Sequence, residues 1–118
     1  MVSIDLSTAV RDGPAVVGLR GELDLSDTGS VTAALADVVA YCPDVIIDLA
    51  DLEFIDCSSL WTLVAAGEQA RRAGGDLLLA APQQLALRVL ALTGLADVFS
   101  VHASVEQAEL AYARHRPV

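Results

Sequence analysis

At 118 residues the chain has room for one domain with one hydrophobic core and none for a second. Its formal net charge of −9, with seven arginines and no lysine, excludes nucleic acid, which needs a basic stripe, and favours a partner with a basic contact surface. Hydrophobic residues make up 54% of the chain, yet its apolar runs are far too short to span a membrane and its start lacks a signal pattern, so a cytoplasmic domain without membrane insertion is expected.

Ile4, Leu6 and Val10 alternate with polar residues, Arg11-Asp12-Gly13-Pro14 makes a turn, and Ala15-Val16-Val17-Gly18-Leu19 forms a second strand, together a hairpin. Gly21-Glu22-Leu23-Asp24 reads as a loop. Ser26 or Asp27 can cap a helix that runs to about Tyr41, with Val31, Leu35, Val38 and Val39 on its apolar face, until Cys42-Pro43-Asp44 stops it. Val45-Ile46-Ile47-Asp48-Leu49 is short, β-branched and almost wholly apolar, as a strand covered on both faces should be.

From Ser58 a second helix is expected, with Leu60, Leu63, Val64 and Gly67 inward, and Gly74-Gly75 as its stop signal. Leu77-Leu78-Leu79-Ala80 is another buried strand. Pro82 opens a third helix lined by Leu85, Val89, Leu90 and Leu92 and ended by Thr93-Gly94, and Val98-Phe99-Ser100-Val101 is a last short strand. Ser104 and Gln107 make a capping box for a final helix ending near Tyr112. The plan is an α/β fold: a mixed, mostly parallel sheet with an N-terminal hairpin, packed against about four helices in one domain over residues 1–118.

Sites in such folds gather at the C-terminal ends of the strands. Asp24 and the stretch Asp56-Cys57-Ser58 both reach that rim. Ser58 falls at or near a helix N-terminus, where free N–H groups and the positive dipole end favour an anion, including one attached covalently. Its plainer reading is a cap contributing about 1 kcal/mol, and Asp56 could equally be that cap. Trp61, the only tryptophan, shares a helix face with Ser58, Ala65, Glu68 and Arg72. It either anchors a partner or tucks against a loop.

Enzyme readings are poor, a thiol site of Cys57 with His102 at the rim being the minor alternative, and no cofactor is expected. Ser58 lacks the glycines of a nucleophile elbow, and His102 and His115 lie far along the sequence. Cys42 and Cys57 have neither zinc nor redox spacing and are expected to be free, buried thiols, so no metal site is expected. A phosphoaspartate receiver with Asp48 or Asp56 as acceptor would ordinarily use a lysine, and this chain has none.

Gly21-Glu22-Leu23-Asp24-Leu25, Val45-Ile46-Ile47-Asp48-Leu49, Phe54-Ile55-Asp56-Cys57-Ser58-Ser59-Leu60, Ala73-Gly74-Gly75 and Leu92-Thr93-Gly94-Leu95 follow one another in an order that resembles STAS domains, in particular bacterial anti-sigma factor antagonists. The resemblance extends roughly from Ile4 to Ala111, and the five motifs in order are far more specific than any one alone. It implies a binding protein that, unphosphorylated, captures an anti-sigma factor and frees a sigma factor. The anti-sigma factor is commonly also its serine kinase, and a serine phosphatase resets the switch.

The family's acceptor lies in the pattern Asp-Ser-(Ser or Thr)-Gly-Leu, whose third position is Ser58 here. Cys57 stands where serine is usual and Ser59 where glycine is usual, which makes Ser59 a second candidate acceptor. The partner surface implied comprises Asp24, Asp56, Ser58 and Ser59, with Trp61 as an anchor and Glu22 as its least specific member. The alternative is a STAS domain without a switch, a constitutive scaffold subunit of a lipid-transport ATPase or signalling assembly. Self-association is left open.

Overall fold

A computed structural model describes residues 1–7 and 13–115. Val10 and the first half of the turn, Arg11-Asp12, lie outside the described residues. Among those described, six strands and four α-helices follow the order β1 (Val2–Ser7), β2 (Ala15–Leu23), α1 (Thr28–Tyr41), β3 (Asp44–Asp48), β4 (Leu52–Ile55), α2 (Cys57–Arg72), β5 (Asp76–Ala80), α3 (Gln84–Thr93), β6 (Ser100–His102) and α4 (Val105–His115). The sheet runs β1-β2-β3-β5-β6, antiparallel between β1 and β2 and parallel elsewhere.

The parallel strands are covered on both faces, which is why they read as unbroken apolar runs rather than alternating ones. Val17, Leu19, Val45, Ile47, Leu77 and Leu79 face the main core beneath α1, α2 and α3. Val16, Ile46, Leu78 and Ala80 turn the other way and meet Ala108, with Val105 and Tyr112 packed alongside, under α4. No helix of the described residues is long and apolar enough to cross a membrane.

Two departures from the expected plan build the rim. β2 does not stop at Leu19 but continues to Leu23, pairing first with β3 over Ala15–Gly18 and then with β4 over Gly21–Leu23. The register shifts at Gly21, whose φ of +90° a side chain would resist, so the glycine and charged neighbours that read as loop chemistry instead mark an irregularity within a strand. β4 itself was not anticipated. After β3 the chain jogs through Leu49–Asp51, with Gly21 N–H donating to the Asp51 carbonyl at 3.0 Å, and resumes along β2. Only the two ends of this four-residue strand, Leu52 and Ile55, are buried, too short a pattern to stand out as a period.

The remaining corrections are local. α3 starts two residues after Pro82 and turns Ala86 and Leu90 inward, leaving Leu85 and Leu92 exposed, because the small Ala86 allows close approach on that stripe. Val98 closes a 3-10 turn, Phe99 enters the core and β6 begins only at Ser100. Ser104 Oγ accepts the Gln107 N–H at 3.1 Å at the head of α4, which runs beyond Tyr112 to His115. α2 ends as expected at Ala73-Gly74-Gly75, where Gly75 N–H donates to the Ala70 carbonyl at 2.9 Å.

Candidate functional site

β2 and β4 are parallel neighbours with Leu23 opposite Ile55, so the residues that follow them, Asp24 and Asp56, emerge side by side at the strands' C-terminal ends. Asp56 N–H donates to the Leu23 carbonyl at 3.2 Å and carries the pairing one residue past β4. From there the chain turns at once into α2, with Asp56 as its N-cap.

The Asp56 carboxylate makes two bonds with different consequences. Oδ1 accepts the Ser59 N–H at 2.8 Å and satisfies one of the helix's orphan donors. Oδ2 accepts the Leu25 N–H at 3.1 Å, from a turn 31 residues earlier in the chain. The reading of Asp56 as the cap is therefore correct, and the same side chain also fixes the β2–α1 connection against the α2 N-terminus.

That connection is a 3-10 turn, Leu25–Asp27, closed by a capping box. Asp24 Oδ1 accepts from Ser26 N–H at 2.9 Å and from the Ser26 hydroxyl at 2.6 Å. The Asp24 N–H donates to Asp27 Oδ2 at 3.2 Å, while Val2 N–H donates to Asp27 Oδ1 at 3.3 Å. The Ser26 hydroxyl, then the Ser26 N–H, hold the Asp24 carboxyl below its ordinary value of 3.8, so it is ionised near neutrality. Asp24 lies on the rim as expected, but its first task is to shape this turn.

Ser58 is the second residue of α2 and is exposed. The first intrahelical bond is Leu60 N–H to the Asp56 carbonyl at 3.2 Å and Ser59 N–H is taken by the Asp56 side chain, so the N–H groups of Cys57 and Ser58 precede the helical ladder. Trp61 follows one turn later and is 57% exposed, so the indole stands on the surface instead of tucking against a loop. Ser58, Trp61, Ala65, Glu68 and Arg72 do form one exposed stripe, opposite the buried Leu60, Leu63, Val64 and Gly67.

The structure places two further candidates and corrects the expected burial of the cysteines. Ser59 has 0% exposure and its hydroxyl has no hydrogen-bond partner, so of the two candidate acceptors only Ser58 stands on the surface. The signal was in the sequence: Ser59, Leu63, Ala66 and Ala70 repeat at helical spacing along the buried face. Glu22 is exposed opposite Phe54, but strand alternation turns it away from the side on which Leu23 and Ile55 meet α2. Cys57 is an exposed thiol and Cys42 a partly exposed one; both are free, but neither is buried.

Sequence reasoning passed over Leu25. The residue is 67% exposed although its backbone is tied down on both sides. An isolated leucine between two helix-capping aspartates, with no apolar residue at helical spacing to serve, was the available signal.

The chain is 23% identical over 105 residues to the anti-sigma-B factor antagonist of Bacillus subtilis (strain 168), covering 89% of this chain and 96% of that one. It is similar to the crystal structure of an anti-sigma factor antagonist from Mycobacterium paratuberculosis, with 27% identity, a TM-score of 0.84 and coverage of 96% and 95% of the two chains. It also shares its fold with the anti-sigma factor antagonist SpoIIAA in its unphosphorylated form, at 20% identity and a TM-score of 0.79, covering 98% of this chain and 100% of that one. The Bacillus cell fate determinant SpoIIAA in the phosphorylated form has a TM-score of 0.70 at 22% identity, with coverage of 97% and 100%. With the STAS domain model matching residues 5–108, from within β1 to the buried Ala108 of α4, the chain belongs to the STAS domain family.

Proposed function

We propose that this chain is an anti-sigma factor antagonist, a binding module and not an enzyme, switched by phosphorylation of Ser58. Unphosphorylated, it binds an anti-sigma factor and releases a sigma factor in the cytoplasm. The anti-sigma factor is also the serine kinase that switches it off, and a serine phosphatase restores it. The observation that carries this reading is the exposure of Ser58 at the start of α2, on a rim whose turn and helix are pinned together by Asp56.

The chemistry follows from that placement. The Ser58 hydroxyl attacks the γ-phosphorus of ATP, ADP leaves, and a kinase base takes the hydroxyl proton, since the Asp56 carboxylate already serves two backbone N–H groups. The product phosphate adds about −1.5 to −2 charges beside the N–H groups of Cys57 and Ser58, where the helix dipole favours it, so the domain stays folded.

Its effect falls on the partner. A doubly charged phosphate about 8 Å from a partner carboxylate, at an effective dielectric of about 20, is repelled by about 4 kcal/mol before salt screening. A third of that already costs about tenfold in affinity. The phosphate also adds to the ionised Asp24 and to Asp56, and its desolvation in a packed interface opposes binding further. Trp61, exposed one helical turn from Ser58, anchors the partner on the same stripe.

The test is incubation with ATP and each purified anti-sigma kinase of the source bacterium, followed by mass spectrometry and binding titration. One phosphate on Ser58, none on a Ser58→Ala variant, and at least about tenfold weaker binding by Ser58→Glu are expected. No phosphate on Ser58 together with full binding by Ser58→Glu would refute the switch. Trp61→Ala with unchanged affinity would take the indole out of the interface.

A further inference from the structure

We infer that Leu25 is a second apolar anchor of the partner surface, presented next to the head of α2 by the Asp56 carboxylate, and that the surface it engages is an apolar recess of the partner bordered by arginine or lysine. The inference rests on the antagonist reading and deepens it by adding a residue and the chemistry of what it meets. Leu25 is 67% exposed, yet its N–H is held by Asp56 Oδ2 at 3.1 Å and the next residue is bound by Asp24. Its backbone is thus fixed before any partner arrives, and little ordering entropy remains to be lost on docking.

A single exposed leucine needs no explanation. Here, however, the turn that carries it is bonded to the end of α2 that carries Ser58 and, one helical turn on, the exposed Trp61. The surrounding charge then narrows the occupant. Between Gly21 and Val31, and again between Asp51 and Ala70, the chain has no Arg, Lys or His, so every ionisable group that these two segments bring to the rim is acidic or a thiol, and the Met1 ammonium, 4.0 Å from Asp27 Oδ2, offsets only part of that charge. Asp24, an ionised carboxylate whose Oδ1 is bound within the turn, lies immediately before Leu25. An apolar recess edged by cationic side chains matches both features, and a partner of like charge is repelled.

The test uses the anti-sigma kinase that binds the wild-type chain, titrated calorimetrically against Leu25→Ala, Leu25→Met and, as a surface control, Leu92→Ala, whose side chain is 80% exposed near the far end of α3. Leu25→Ala is expected to weaken binding at least about tenfold with its unfolding midpoint unchanged, while Leu25→Met and Leu92→Ala stay close to wild type. Added salt should weaken wild-type binding if cations border the recess. Wild-type binding with Leu25→Ala also near wild type overturns this inference and leaves the antagonist reading standing; no binding of any anti-sigma kinase by the wild-type chain overturns both.

Discussion

The carboxylate of Asp56 accepts the Leu25 N–H at 3.1 Å with one oxygen and the Ser59 N–H at 2.8 Å with the other, so a helix cap doubles as the link between two segments of the rim. Asp56→Ala should lose both bonds and lower unfolding stability by about 2 kcal/mol, the sum of a part-buried cap and an exposed charge-assisted bond. Asp56→Asn should fall between, since its amide presents one oxygen and sets an NH2 against one of two backbone donors. Urea unfolding measures the loss, and amide exchange at Leu25 should accelerate in Asp56→Ala. An unaltered Leu25 exchange rate would mean that the turn holds without Asp56.

Asp24 makes the turn sensitive to acid. Its folded carboxyl titrates below the ordinary value of 3.8 because the Ser26 hydroxyl and N–H favour the ionised form. A carboxyl depressed on folding contributes its full stability above the unfolded value and loses it as pH falls through the folded one. The stability gap between wild type and Asp24→Asn should therefore be constant from neutrality down to about pH 5 and close below 3.8. Unfolding curves collected across that range would show it, and a gap that widened on acidification would contradict the assignment.

At the other end of α2, Gly75 sits where a Cβ would run into the Pro43 carbonyl at the start of β3. Because that obstacle is backbone, no rotamer change can relieve it. Gly75→Ala is expected to cost about 3 kcal/mol in unfolding stability, since either β3 or the helix stop must move. A Cβ on the neighbouring Gly74 would meet nothing within 4 Å, and its φ of +90° makes Gly74→Ala a milder, purely conformational loss of about 1 kcal/mol. Equal losses for the two would place the constraint in the turn rather than in the approach to Pro43.

The central strands were legible because burial on both faces leaves runs such as Val45-Ile46-Ile47, and α1 and α2 because Val31, Leu35 and Val39, or Leu60, Leu63 and Val64, repeat on one stripe. β4 escaped because its order comes from pairing with β2, a tertiary relation that four residues cannot encode. On α3 Val89 and Leu90 were placed inward correctly, but Leu85 and Leu92 were added to them because they are apolar, whereas packing selected the smaller Ala86. The positions of Asp56, Ser58 and Trp61 at the head of α2 followed from the capping pattern and helical spacing. Leu25 did not, because the bond that gives it meaning joins it to a residue 31 positions away.

Ser59 is the strongest test of how the helix start is tuned. Its hydroxyl is buried at 0% exposure with no hydrogen-bond partner, a burden of about 1–3 kcal/mol when a polar group is left unsatisfied. Ser59→Ala removes the hydroxyl, keeps the Asp56 bond to the backbone N–H, and raises helix propensity. It should stabilise the chain by about 1–2 kcal/mol in urea unfolding. The family's glycine, introduced as Ser59→Gly, should gain less, because glycine costs about 1 kcal/mol against alanine inside a helix. Neither variant should change the rate of phosphorylation at Ser58, whose side chain is on the exposed face. A Ser59→Ala chain that lost stability would show that the buried hydroxyl has found a partner, and one that lost its phosphate would return Ser59 to the list of acceptors.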